Sequence, residues 1–290
     1  MKLFILILLF LVTPFACAHE VAITFDDLPC PQDLSIEDQQ FISESILEAL
    51  KNFGAPAIGF VNEGNLYDKG GTEEKIAILK RWIEYGHSLG NHTYSHPYLS
   101  QSKAEDFQED VLKGAKISKK LMQDAGFSYK YFRHPYLDTG STKEIRAPFE
   151  TFLKKENYTI APVTIDTDDW KFNQKLTENP ENKEKIITEY LAHTQAKFAF
   201  YRAASEKIFG RNIRHIWLLH ANLINAYAME DLLKIARELE YNFIILDHAM
   251  EDEAYSEPDN CYIPYGVSWL YRWDDTRGKV IDWSKDPELN

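Results

Sequence analysis

Short apolar runs alternate with amphipathic stretches along most of the chain. Val21 to Phe25 is a β-branched and aromatic run that predicts a buried strand. From Ser35 to Phe53, apolar residues fall at 36, 41, 42, 46, 47, 50 and 53, the spacing of one helix face. Ser35 can cap that helix and Gly54 can stop it. Further strand-like runs follow at Ala57 to Val61, His87 to Asn91, Tyr129 to Arg133, Tyr158 to Ile165, His215 to Leu219 and Tyr241 to Leu246. Helical stretches separate them at Thr72 to Tyr85, Lys103 to Ala125, Thr142 to Asn157, Lys183 to Phe209 and Ala226 to Glu240. Pro148 marks a candidate break in the third of these. Strict alternation predicts parallel strands joined by crossover helices, and seven such runs fit a closed β/α barrel better than a sheet of two halves. The first strand ends in Asp26-Asp27-Leu28-Pro29 rather than a glycine-rich loop, which counts against dinucleotide or P-loop binding.

Both ends depart from the pattern. Lys2, the apolar run Leu3 to Val12 and the small-residue site Ala16-Cys17-Ala18 predict a signal peptide over residues 1–18. Ten apolar residues are too few to span a bilayer. A lipid-anchored signal using Cys17 is the rival, though Pro14-Phe15-Ala16 before it suits such a site poorly. The expected product is a single domain over 19–290, exported to the periplasm or secreted, with no stable membrane insertion. Its core would cover about 20–247. The extension 248–290 is rich in Tyr and Trp, too aromatic for a disordered tail. It reads as a strap packed on the barrel, the rival being a platform for sugar rings. In an oxidising compartment Cys30 and Cys261 could form a disulfide, or remain two unrelated thiols.

Composition narrows the function. The net charge, 32 − 45 = −13, argues against a nucleic-acid partner and against a polybasic membrane surface. Three cysteines are too few for a thiolate cluster. In a β/α barrel the chemistry sits at the C-terminal ends of the strands. In this reading those ends carry Asp26 and Asp27, His92 and His96, Arg133, Asp166 to Asp169, His220 and Asp247.

Adjacent carboxylates after an apolar strand are costly to bury unless paired or bound to a cation; a solvated turn is the plain alternative. His92 and His96, four apart, would share one face of a helical turn and could present two imidazoles to one ion. With one Asp they make three protein ligands and leave a position open, the pattern of a catalytic metal site. Arg133 beside the carboxylates could orient one of them, and Pro135 could stiffen the loop that aims the Tyr136 backbone N–H. Asp166-Thr167-Asp168-Asp169-Trp170 lacks calcium-loop spacing; it reads better as an Asp that orients a His, with Trp170 as a wall. His220, ending a buried strand, could serve as a general acid. His19, His87, His193, His215 and His248 read as structural, and His134 as structural or solvent-facing.

Five motifs stand in order: Thr24-Phe25-Asp26-Asp27, His92-Thr93-x-x-His96, Arg133-x-Pro135-Tyr136, Asp169-Trp170 and Leu218-x-His220. Together they resemble the polysaccharide deacetylases, carbohydrate esterase family four. The resemblance implies a distorted seven-unit (β/α) barrel. It implies Asp27, His92 and His96 as ligands of a divalent metal, zinc above all, with cobalt or nickel as alternatives. Asp26 would be the base, held by Arg133. The Tyr136 N–H would serve the oxyanion, and His220 would be the acid, tuned by Asp169. Trp170 and Leu218 would line the acetyl pocket. Leu137-Asp138-Thr139-Gly140 departs from the family's usual turn after the Tyr, and the extension lies outside its common core. The partner so implied is an N-acetylated glycan, peptidoglycan- or chitin-like. A same-fold amidase on a small non-sugar C–N bond and a non-catalytic glycan binder are the alternatives. Oligomeric state is left open.

Overall fold

A computed structural model describes residues 19–31 and 34–288; the signal-peptide reading and Cys17 lie outside the described residues. The elements run β1 (His19–Leu28), α1 (Ile36–Asn52), β2 (Ala57–Val61), α2 (Thr72–Glu84), β3 (Ser88–Asn91), α3 (Ala104–Lys113), α4 (Ser118–Asp124) and β4 (Tyr131–Phe132). They continue with α5 (Lys143–Lys155), β5 (Thr159–Ile160), β6 (Ile165–Asp166), α6 (Asp169–Glu178), α7 (Lys183–Phe209), β7 (His215–His220), α8 (Leu223–Glu238), β8 (Tyr241–Ile244), α9 (Leu246–Met250) and α10 (Trp269–Arg277). Ser35 caps α1 as its sequence predicts, accepting from the Asp38 N–H at 3.1 Å.

The strands form one parallel sheet in the order β5-β4-β3-β2-β1-β7-β6. The predicted strand Tyr158 to Ile165 is one bent segment: its start pairs with β4 and its end with β7. The sheet thus curls into a distorted β/α barrel, as expected. Val21 and Ala22 of β1 pair with β7 and β8 at once. A strand has two edges, so β8 lies on the edge that β2 takes over from Ile23 onward. The interior is dense with apolar side chains, among them the fully buried Phe25, Phe60, Trp82 and Trp217.

Three expectations need correction here. The helix predicted from Lys103 to Ala125 is two helices, α3 and α4. The buried Glu63 carboxylate accepts the N–H groups of Lys116, Ile117 and Ser118, which opens a new helix N-terminus. At Gly114 a Cβ would stand 2.3 Å from the Thr93 backbone, so the break also lets the chain pass under that loop. Pro148 does not interrupt α5; it faces solvent there. Cys261 carries a free thiol, so no bridge joins it to Cys30. Its carbonyl is held by Arg146 and Arg272, while the Cys30 carbonyl accepts from Asn65.

The aromatic extension packs as a strap. Among the described residues, Val163 and Thr164, between β5 and β6, have no strand partner on one side, and the start of α10 fills that gap. The Trp269 N–H donates to the Val163 carbonyl at 2.7 Å and the Ser268 hydroxyl to that of Thr164 at 3.0 Å.

Candidate active site

In a regular strand, Asp26 and Asp27 would point to opposite faces. Here the register of β1 against β2 shifts between Phe25 and Leu28, and Asp27 takes a left-handed φ of 63°. This bulge turns both carboxylates into one cavity. The cavity, of about 710 Å³, lies at the C-terminal end of the strands, where barrel chemistry belongs.

His92 and His96 also meet there, though not through a helical turn. The stretch is irregular, with left-handed φ at Thr93 (70°) and His96 (55°). Local side chains replace the helix. Asn91 Oδ1 accepts the Thr93 N–H at 2.7 Å, and Thr93 Oγ1 accepts the His96 N–H at 3.1 Å. Asp110 of α3 accepts the N–H groups of Tyr94 and Ser95 at 2.8 and 2.9 Å.

Three donor atoms converge as a result. Asp27 Oδ1 lies 3.4 Å from His92 Nε2 and 3.3 Å from His96 Nε2, and the two nitrogens are 3.2 Å apart. Ligands about 2.0–2.1 Å from one tetrahedral ion stand roughly 3.3 Å apart, so the set fits zinc-like coordination. His92 Nδ1 lies 2.8 Å from the Arg133 carbonyl, which fixes the proton on that nitrogen and frees Nε2. Burial brings His96 down to about 4, against the pull of Asp27. Burial would raise Asp27, but His96 and His92 hold it well below the usual carboxylate range. At neutral pH the carboxylate is therefore ionised and His96 neutral, the forms that bind a cation.

Asp26, almost completely buried, faces the same space. Arg133 Nη1 reaches both its oxygens, at 3.2 and 3.3 Å. Arg133 is itself fixed by the Ala161 carbonyl at 2.8 Å and by Thr24 Oγ1 at 3.1 Å. An ion pair sealed from solvent in this way keeps Asp26 in place while its Oδ2 stands 3.8 Å from His92 Nε2.

Across the cavity, His220 Nδ1 lies 2.8 Å from Asp169 Oδ1. The other oxygen of Asp169 accepts from the His220 N–H, Asn222 Nδ2 and Asn225 Nδ2 at 2.7, 2.9 and 2.6 Å. Burial opposes charge on His220, but Asp169, with Asp27 and Asp26 beyond it, pushes the imidazole up to about 10. His220 is thus a cation at neutral pH, able to donate from Nε2.

The remaining expected residues line the cavity: Tyr136, Trp170 and Leu218. Tyr136 and Trp170 are 44% and 51% exposed, so both present rings to the opening. Tyr136 stacks flat on Tyr98, with centroids 3.7 Å apart and 2° between the planes. One expected residue does not join the site, and one structural residue is placed more closely. Asp247 belongs to α9 rather than a strand end and pairs with Lys130. His134 is buried against Phe132 and Phe149 rather than facing solvent. Other lining residues went unforeseen. Lys171, Asn173, Gln174 and Thr177 come from α6, a helix with no signal stronger than its Asp169 start. Asn222 and Asn225, which anchor Asp169, went unforeseen as well. Asp168 also lines the cavity, but its partners are His193, Lys171 and Lys197 rather than His220.

The family model described as "Polysaccharide deacetylase" matches residues 16–148. A peptidoglycan-N-acetylglucosamine deacetylase of Bacillus cereus is 34% identical over 152 residues, 52% of this chain and 46% of that protein. A chitin deacetylase of Colletotrichum lindemuthianum is 27% identical over 60% of this chain and 68% of its own length. The chain thus spans less than half the length of the Bacillus relative. In fold, it superposes on the peptidoglycan deacetylase PdaC of Bacillus subtilis with a TM-score of 0.53 and 20% identity, over 81% of this chain and 91% of that one. Over about half its length the chain is thus similar to the polysaccharide deacetylases, the family that its motifs resemble.

Proposed function

We propose, from this similarity and this geometry, that the chain is an exported, metal-dependent hydrolase that removes N-acetyl groups from an amino-sugar polymer or oligomer, peptidoglycan- or chitin-like. One observation carries the reading. Three cation donors at tetrahedral spacing share a cavity with an Arg-held carboxylate on one side and an Asp-held imidazolium on the other.

Asp27, His92 and His96 would hold the ion, zinc by preference, with cobalt or nickel as substitutes. When bound, such an ion lowers the pKa of water and polarises an acyl oxygen. The chain's own groups do the rest. Asp26, fixed by Arg133, takes a proton from the attacking water. The Tyr136 backbone N–H, which meets no acceptor among the described residues, donates to the oxyanion as the carbonyl becomes tetrahedral. His220 passes its Nε2 proton to the leaving amine, and Asp169 keeps that imidazole charged and oriented until transfer. Leu218 gives an apolar wall suited to the acetyl methyl, and Trp170 and the Tyr98–Tyr136 stack offer ring faces suited to pyranoses.

The test is acetate release from N-acetylglucosamine oligomers and from muropeptide glycans, side by side, with a chelator control. Chelator-sensitive release from either supports the reading, and the better substrate names its class. No release from either substrate by zinc-loaded protein contradicts it.

A further inference from the structure

Two places where the sequence departs from the family pattern are bonded to each other. One is the loop Leu137-Asp138-Thr139-Gly140 after the motif tyrosine; the other is the aromatic C-terminal segment. Arg272 of α10 is completely buried. It donates to the Leu137 carbonyl at 3.2 Å and to Thr139 Oγ1 at 2.9 Å. Asp259, in the same segment, lies 3.1 Å from Arg272 and 3.2 Å from Arg146. Arg146 in turn donates to the Thr139 carbonyl at 2.9 Å. Gly266 presses on the turn from the other side. A Cβ there would stand 2.1 Å from the Tyr136 carbonyl oxygen and 2.7 Å from Leu137 Cβ, so only glycine allows this approach.

The turn needs such support. Tyr136 and Leu137 both take left-handed φ, 55° and 52°. For residues with a Cβ that conformation is unfavourable, and two in succession persist only when the surroundings enforce them. Ser100 holds the far end, donating to Asp138 from its N–H and hydroxyl at 2.8 and 2.6 Å. The near end, which carries the Tyr136 N–H, is enforced by the C-terminal segment.

We propose that the C-terminal segment is a working part of the site: Arg272 is a positioning residue that, with Gly266 as its seat, holds the Tyr136–Leu137 turn so that the Tyr136 N–H is aimed at the oxyanion. The proposal rests on the deacetylase reading for its kinetic consequence, but not for its structural one. A misplaced donor costs turnover rather than binding, since the oxyanion exists only in the transition state.

The experiment compares wild type, Arg272→Met, Gly266→Ala and Arg277→Ala in the purified protein. Arg277 lies in the same segment but binds Glu257 and the Ile208 carbonyl, away from the turn. Two readouts are taken: kcat and KM for acetate release, and backbone hydrogen exchange over residues 134–141. Arg272→Met and Gly266→Ala should lower kcat about 10- to 100-fold with KM and bound zinc little changed, and speed exchange in 134–141 alone. Arg277→Ala should lower the melting temperature yet leave kcat and that exchange as in wild type. Unchanged exchange over 134–141 in both variants overturns the clamp, whatever the activity. Faster exchange with wild-type kcat overturns the catalytic role. If wild type itself releases no acetate, the deacetylase reading fails, while the exchange result still decides the clamp. Should Arg272→Met not fold, Gly266→Ala carries the test alone.

Discussion

Asp26 and Asp27 are neighbours in sequence, yet their surroundings give them separate tasks: Arg133 grips one and the imidazoles of His92 and His96 face the other. Asp26→Asn should therefore keep the bound metal and lose turnover by about 10²–10⁴-fold, the usual contribution of a general base; His92→Ala should lose both. Parallel zinc analysis and acetate assays check this, and an active Asp26→Asn variant would remove the base assignment. His220 gives a pH dependence with a definite sign. Its folded pKa lies above its ordinary 6.5, at about 10, because Asp169 outweighs burial. The stability it contributes is fully present below pH 6.5 and is lost as pH rises through about 10. Asp169→Asn removes the cause, so the basic limb of the rate profile should move to lower pH, together with the His220 titration followed by NMR. A limb that stays in place would mean that another group is the acid. These residues were legible in the sequence because each ends an apolar strand or follows one within a few positions. Asn222 and Asn225 were not, since an amide that holds a carboxylate leaves no pattern of its own.

The elements explain how the motif residues come together. The His92–His96 loop is built by α3 and by the break before α4, not by a helical turn. Periodicity ran Lys103 to Ala125 together because apolar spacing carries across a short break; the cause of the break is Glu63, more than fifty residues upstream in another loop. The Glu63 and Gly64 N–H groups also bind the carbonyls of Thr93 and Tyr94, at 3.3 and 2.8 Å. Removing the Glu63 carboxylate strands three helix N–H groups, so Glu63→Ala should cost about 1–3 kcal/mol in denaturant unfolding and weaken zinc binding through the loop. Unchanged unfolding and unchanged zinc affinity would show that the carboxylate is dispensable. The bulge at Asp26–Asp27 was equally hidden, since a register shift depends on the partner strand.

At the scale of the whole molecule, seven strand-like runs in strict alternation were enough to read the barrel. Its distortion was not legible from pattern: the bent β5–β6 segment and the misplaced β8 follow from pairings made across the full chain. The gap beside Val163 and Thr164 is sealed by residues more than a hundred positions later, and this is the place of the aromatic segment in the fold. Trp269 is buried against the core there. Trp269→Ala should lower unfolding stability by about 3–5 kcal/mol, the usual cost of truncating a buried aromatic, as read by denaturant titration. A loss below 1 kcal/mol would mean that the segment only rests on the barrel.

The central claim is that one ion, held by Asp27, His92 and His96, is required for amide hydrolysis. Chelator-stripped protein should release no acetate from N-acetylglucosamine oligomers or muropeptide glycans. As zinc is titrated back, release should return in proportion and level off at one ion per chain. Release that survives stripping, or a full equivalent of zinc with no release from either glycan, would contradict the account.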